Sequence, residues 1–109
     1  MKNIRKRIRI AVIGGSRAGR QAVDNAFEVG RLIARSGAVV VCGGLGGVME
    51  AACRGAREEG GLVVGILPGN SPADANPWVD VPLATGLGYT RNPLVVMNAD
   101  AVVAIDGEY

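Results

Sequence analysis

Apolar positions along this chain recur with two different periods, and the places where one period gives way to the other outline the elements. Arg7 to Ile13 alternates basic and apolar residues before turning wholly apolar, which predicts a strand entering the middle of a sheet and ending at Gly14-Gly15-Ser16. From about Ala18 to Ser36, the residues Ala22, Ala26, Val29 and Ile33 recur at three- and four-residue spacing. Val23, Phe27 and Gly30 lie beside them, with Arg20, Asp24, Glu28, Arg31 and Arg35 on the other side, so this is a long amphipathic helix stopped by Gly37. Ala38 to Cys42 predicts a second strand, Val48 to Glu59 a second helix closed by Gly60-Gly61, and Leu62 to Leu67 a third strand ending at Pro68-Gly69. The stretch Asn70 to Pro77 has the turn chemistry of a surface loop, and Trp78 to Val81 reads as a short edge strand that Pro82 keeps from continuing as a central one. A short helix over Asn92 to Asn98, with Pro93 suited to its first position, leads to a last strand over Ala101 to Ile105.

An order of strand, helix, strand, helix, strand, short strand, helix, strand predicts right-handed crossovers and a mostly parallel twisted sheet of the α/β class. The whole of residues 1–109 reads as a single domain, with a basic leader over 1–7. In such sheets ligands bind beyond the carboxyl ends of the strands. Gly14-Gly15-Ser16, the cluster Gly43-Gly44-Leu45-Gly46-Gly47, Pro68-Gly69 and Gly107 all fall at those ends, on one rim. The cluster follows the apolar run Ala38 to Val41 and opens a helical pattern, which is how a backbone comes close to a phosphate: free N–H groups and the positive end of the helix dipole face the anion. The same glycines also suit a tight strand-to-helix turn that holds nothing. Arg91, the one arginine after residue 57, lies between a glycine-bearing loop and the short helix. It reads either as a bidentate clamp for a phosphate or carboxylate on that rim or as a solvated loop residue.

Composition narrows the chemistry. Apolar residues make up 49% and aromatics 4% of the chain, so the core is built from Val, Ile, Leu and Ala, as in strands covered on both faces. The net charge of +2 is concentrated in Lys2, Arg5, Lys6, Arg7 and Arg9, and beyond residue 9 seven basic residues face ten acidic ones. That distribution argues against a nucleic-acid face and leaves the basic start as a solvated leader. No apolar run has the length of a membrane span and no signal-peptide pattern is present, so no membrane partner is expected and the cytoplasm is the expected compartment. Cys42 and Cys53 form no C-x-x-C pair and have no histidine to join them, so no metal site is expected and both read as buried small hydrophobes. The glycine offsets after the first strand and the missing acidic residue at the end of the second disfavour a dinucleotide site, and no Walker lysine follows the glycines. With no histidine, acid–base work falls to Asp, Glu, Tyr or Cys, and with Lys2 and Lys6 as the only lysines pyridoxal chemistry is disfavoured.

Cys42-Gly43-Gly44-Leu45-Gly46-Gly47-Val48-Met49-Glu50, then Gly65-Ile66-Leu67-Pro68, then Arg91, then Ala99-Asp100-Ala101-Val102-Val103-Ala104-Ile105 resemble the Lonely Guy superfamily, whose members are often mislabelled as lysine decarboxylases. The similarity runs from Ile8 to Tyr109, and Thr85-Gly86-Leu87-Gly88-Tyr89-Thr90-Arg91-Asn92 looks more like the branch that includes molybdenum-cofactor carrier proteins than the cytokinin-activating enzymes. The resemblance implies a Rossmann-like three-layer fold, an oligomer of two or more copies, and a small phosphorylated ligand, a nucleoside monophosphate or the molybdenum cofactor. It places Gly14, Gly15, Ser16, Gly43, Gly44, Gly46, Gly47, Arg91 and Gly107 around that ligand. It also implies an ancestor that hydrolysed the N-glycosidic bond of nucleoside 5′-monophosphates, with Arg91 as the catalytic arginine and a glutamate in a P-G-G-x-G-T-x-x-E motif. Here that motif starts as Asp106-Gly107-Glu108-Tyr109, and its Gly-Thr, its glutamate and the following helix lie outside the 109 residues. The sheet is therefore expected to lack its last helix in this chain, with further polypeptide or a partner covering the open face. A hydrolase would need its carboxylate from Glu50, Glu108 or missing sequence. Three functions stay open: a binder of a nucleotide or phosphorylated cofactor, a phosphoribohydrolase, and an inert paralogue that acts by pairing.

Overall fold

The computed structural model describes residues 7–105. In chain order the elements are β1 (Arg9–Gly14), α1 (Arg20–Arg35), β2 (Val39–Cys42), α2 (Val48–Glu58), β3 (Val63–Leu67), β4 (Val81–Ala84), α3 (Asn92–Met97) and β5 (Ala101–Ile105), with 3-10 turns at Pro72–Asp74 and Gly88–Arg91. The strands form one five-stranded sheet in the order β4-β3-β2-β1-β5, and every neighbouring pair is parallel. The architecture is Rossmann-like. The chain winds outward from β1 to β4 and then returns to the other side of β1, so the switch point falls where Gly14 pairs with Ile105.

Side-chain alternation divides the core in two. Val12, Val40, Cys42, Val63 and Ile105 pack with Ala22, Ala26, Ile33, Ala52, Cys53 and Ala56 under α1 and α2. Ala11, Val39, Val41 and Ile66 face the other way, where Val95 of α3 joins them. On that second face α3 is six residues long, and Leu62 and Val64 remain half-buried beside a concavity of about 500 Å³.

Two glycines set how closely the helices lie. A Cβ on Gly30 of α1 would overlap the Ala52 carbonyl of α2, and one on Gly55 of α2 would overlap the Phe27 carbonyl of α1. The two backbones touch at reciprocal positions where no side chain fits. Both helices end as the sequence predicts. Gly37 (φ 86°) and Ala38 donate to Ala34 and Ile33, while Gly60 (φ 72°) and Gly61 donate to Arg57 and Ala56, two Schellman closures. The Arg31 guanidinium reaches Glu59 at 2.8 Å and ties the middle of α1 to the end of α2.

The edge strand is displaced from its expected place. It runs over Val81–Ala84 instead of Trp78–Val81 and contains Pro82 opposite Gly65 in the register with β3. A strand with one neighbour tolerates a missing N–H that a central strand would not. The residues read as strand make a turn instead: Asn76 Oδ1 accepts from the Trp78 N–H at 2.9 Å, and Asp80 accepts from the Val63 N–H at 2.8 Å. Asp80 also meets Arg57 at 3.0 Å, fastening this turn to α2. Among the described residues, no helix is long and apolar enough to cross a membrane.

Candidate functional site

Arg91 ends the second 3-10 turn, and its side chain passes under the rim of the sheet, leaving the residue only 5% exposed. Its Nε donates to the Ile66 carbonyl at 2.7 Å, its Nη2 to the Gly43 carbonyl at 3.3 Å, and its Nη1 to Asn92 Oδ1. The solvated alternative is thereby excluded. All three acceptors are neutral, and among the described residues no carboxylate pairs with this guanidinium. A buried cation whose partners are carbonyls and an amide keeps its attraction for an anion.

Arg91 also lines a cleft of about 370 Å³, together with Gly14, Gly15, Ser16, Leu45, Met49, Tyr89 and Asn92. Such a volume suits a nucleotide-sized ligand. Of the residues picked from sequence, Gly14, Gly15, Ser16 and Arg91 line it directly. Gly43 stands beneath, bounding a small void of about 10 Å³ with Gly14, Met49 and Arg91. Gly44 (φ 80°) packs on Leu67, and Gly47 (φ 65°) sits against the backbone of Gly15 and Ser16, where a Cβ would collide with both. Gly46 lies near the Ser16 carbonyl. The cluster thus supports the site from behind: the first N–H of α2, on Val48, donates to the Gly15 carbonyl at 3.1 Å and joins the two glycine turns. Gly107 falls outside the described residues.

Leu45, Met49, Tyr89 and Asn92 escaped the sequence reading as site residues. Met49 and Leu45 give the cleft an apolar wall, and Tyr89, 84% exposed, supplies its aromatic ring. Asn76 also escaped it. This buried amide donates from Nδ2 to the Leu45 carbonyl at 2.9 Å, and its backbone N–H donates to the Gly44 carbonyl at 2.9 Å, so it fixes the glycine turn from below. The turn-rich composition of 70–77 concealed it.

Carboxylates are missing from the cleft lining among the described residues. Glu50, one of the two named candidates, lines a separate concavity with Val23, Gly47, Ala51 and Arg54, and Glu108 lies outside the described residues. No cluster able to hold a metal ion occurs among the described residues. The larger concavity of about 500 Å³ opens at the opposite, amino-terminal rim between Arg7, Arg9, Val39, Leu62 and Val64. Among the described residues its lining has no glycine turn and no buried donor, so chemistry and not size selects the Arg91 cleft.

Fold and cleft together define an α/β protein with a cleft at the carboxyl rim of a parallel sheet, lined by a glycine turn and a buried arginine. The chain belongs to the SLOG cluster4 family, whose sequence profile matches residues 7–109. It is 42% identical over 104 residues to an uncharacterised protein of Archaeoglobus fulgidus, covering 95% of this chain and 68% of the relative. Its structure superposes on the molybdenum cofactor binding protein of the phototrophic bacterium Rippkaea orientalis with a TM-score of 0.92 at 37% identity, over 95% of this chain and 65% of that one. For the Moco carrier protein of Chlamydomonas reinhardtii the TM-score is 0.84 at 33% identity, over 94% of this chain and 64% of that one. These similarities agree with the resemblance read from the motifs. The chain spans about two thirds of the length of each of these relatives.

Proposed function

We propose that this chain binds a small phosphorylated ligand of nucleotide or pterin type in the Arg91 cleft, with the molybdenum cofactor as the favoured candidate. The observation that carries this reading is the buried Arg91, whose guanidinium is held by three neutral acceptors and which lines the cleft. The backbone turn Gly14-Gly15-Ser16 offers a close approach for phosphate oxygens, and Leu45, Met49 and Tyr89 offer apolar and aromatic surface for a planar ring. The Rippkaea protein is a molybdenum cofactor binding protein and the Chlamydomonas one a Moco carrier protein, which supports the choice of ligand. The fit is to phosphate and ring: among the described residues the cleft lining holds no thiol, imidazole or carboxylate, so a metal in such a ligand arrives with it.

Binding is favoured over glycosidic cleavage because the cleft lining offers no carboxylate, among the described residues, to stabilise positive charge developing on a ribose. Calorimetry with AMP, with a phosphorylated pterin and with the molybdenum cofactor should give saturable heats in the micromolar range or weaker, and incubation with AMP should release no adenine. Absence of heat and of any thermal shift across that panel would refute the binding reading, and free adenine would replace it with the hydrolase.

A further inference from the structure

Beneath the glycine cluster, and outside the cleft, the two cysteines of the chain meet. Cys42 closes β2 and Cys53 lies in the middle of α2; both are wholly buried, and their Sγ atoms are 3.3 Å apart. The pair is bonded into the turn above it. Cys42 Sγ accepts the Gly44 N–H at 3.3 Å, and Cys53 Sγ lies 3.7 Å from Asn76 Nδ2, the donor that also holds the Leu45 carbonyl. Between Gly44 and Cys42, the Gly43 carbonyl accepts from Arg91. Both sulfurs therefore touch the groups that hold the segment on which Arg91 rests.

We propose that Cys42 and Cys53 are an intramolecular disulfide site, and that closing the bond reshapes the glycine turn that holds Arg91. Closure takes the sulfurs from 3.3 Å to the bonding distance of about 2.05 Å, an approach of about 1.25 Å. The two thiols are unequal. Hydrogen bonding from Cys53, the Gly44 N–H and the Arg91 charge together pull the Cys42 thiol below its ordinary range against the opposing effect of burial. Its bond to Cys42, burial and the charge on Cys42 push the Cys53 thiol up. Cys42 is accordingly the nucleophile and Cys53 the resolving thiol.

With a small hydroperoxide as oxidant, the Cys42 thiolate attacks a peroxide oxygen and the O–O bond breaks. For hydrogen peroxide this leaves a sulfenic acid on Cys42 and a hydroxide, which takes up the thiol proton as water. The Cys53 sulfur then attacks the Cys42 sulfur, the S–O bond breaks, and the leaving hydroxide takes the Cys53 proton as a second water. Two thiols are oxidised and one peroxide is reduced. In the disulfide the Cys42 sulfur is a weaker acceptor for the Gly44 N–H, at the point where the turn meets Arg91. The inference holds whatever ligand the cleft takes.

The test is hydrogen peroxide treatment of the wild-type chain, followed by alkylation under denaturing conditions, mass spectrometry and ¹H–¹⁵N spectra. The expected result is an intact mass lower by about 2 Da, no alkylated cysteine and one peptide cross-linking Cys42 to Cys53. The Gly44 amide and Arg91 Nε–H resonances should shift and return on reduction with dithiothreitol. Cys53→Ser should stop at a sulfenic acid on Cys42 that dimedone traps; if that variant fails to fold, the wild-type outcomes decide alone. Two alkylatable thiols after treatment, oxygen adducts without a cross-link, or cross-links only between molecules would overturn the proposal. A disulfide that leaves the Gly44 and Arg91 resonances unmoved would overturn its coupling to the turn.

Discussion

Replacing Gly43 by alanine tests how the site is built without removing a charge. The new Cβ would stand 2.8 Å from both Arg91 Cζ and Met49 Sδ, and closer still to Arg91 Nη2. Gly43 is not among the glycines with positive φ, so the backbone accepts alanine and the perturbation falls on the guanidinium. To make room, Arg91 must give up the 3.3 Å bond to the Gly43 carbonyl and strain the 2.7 Å bond to the Ile66 carbonyl. A hydrogen bond to a charged group contributes about 1.5–3 kcal/mol, and one extra methyl in a packed site costs about 1–3 kcal/mol. The lost bond is long and the Ile66 bond is partly kept, which places the net destabilisation near the low end, at about 2 kcal/mol. Urea unfolding should show that loss with an unchanged m-value, and calorimetry should show AMP binding weakened about tenfold. A Gly43→Ala protein with wild-type stability and wild-type AMP affinity would refute the placement of Arg91 against this turn.

Gly30→Ala sets two effects of opposite sign against each other: alanine gains about 1 kcal/mol of helix propensity, but its methyl meets the Ala52 carbonyl, a backbone atom that moves only with α2. We predict a net loss of about 2 kcal/mol in urea, and a gain would show that the helices are not in backbone contact. Asn76→Ala should cost about 2–3 kcal/mol, because the Leu45 carbonyl and the Trp78 N–H lose their partner, and it should raise amide exchange at Gly44; unchanged exchange there would count against its role as the clamp of the turn. The raised Cys53 thiol keeps its proton in the folded chain above the ordinary value of 9.0, where the unfolded chain has released it. Its contribution is thus complete below that pH and falls above it by up to about 1.4 kcal/mol per pH unit. Stability measured from pH 8 to 10.5 should fall more steeply in wild type than in Cys53→Ser, and parallel curves would contradict this.

Much of the sheet and both long helices are legible in the residue pattern because local periodicity decides them: Val39–Cys42 is apolar throughout and central, and the Ala22, Ala26, Ile33 stripe is the buried one. The edge strand is less so. Pro82 marks a strand that cannot be central, yet where the pairing begins depends on Asp80 capping Val63, a contact between residues 17 apart. The cleft follows the same division. Gly14-Gly15-Ser16 and Arg91 are visible as rim residues, but the burial of Arg91 depends on carbonyls 25 and 48 residues away. Asn76 sits among Ser, Pro, Asp and Asn in a stretch whose composition signals solvent, and its burial follows from bonds to a turn 31 residues upstream. The cysteines read correctly as buried, while their contact is set by α2 packing on β2. Gly30 and Gly55 are unfavourable in mid-helix, yet that they mark a close backbone approach follows only from the packing of α1 on α2.

Whether the Arg91 charge receives a phosphate is the central question. The direct measurement is the ratio of AMP to adenosine affinity in the wild-type chain and in Arg91→Ala. A charge-assisted phosphate contact predicts that wild type prefers AMP by roughly 10- to 150-fold and that the substitution brings the ratio close to one while adenosine binding persists. An AMP preference that survives intact in a folded Arg91→Ala protein would contradict the account.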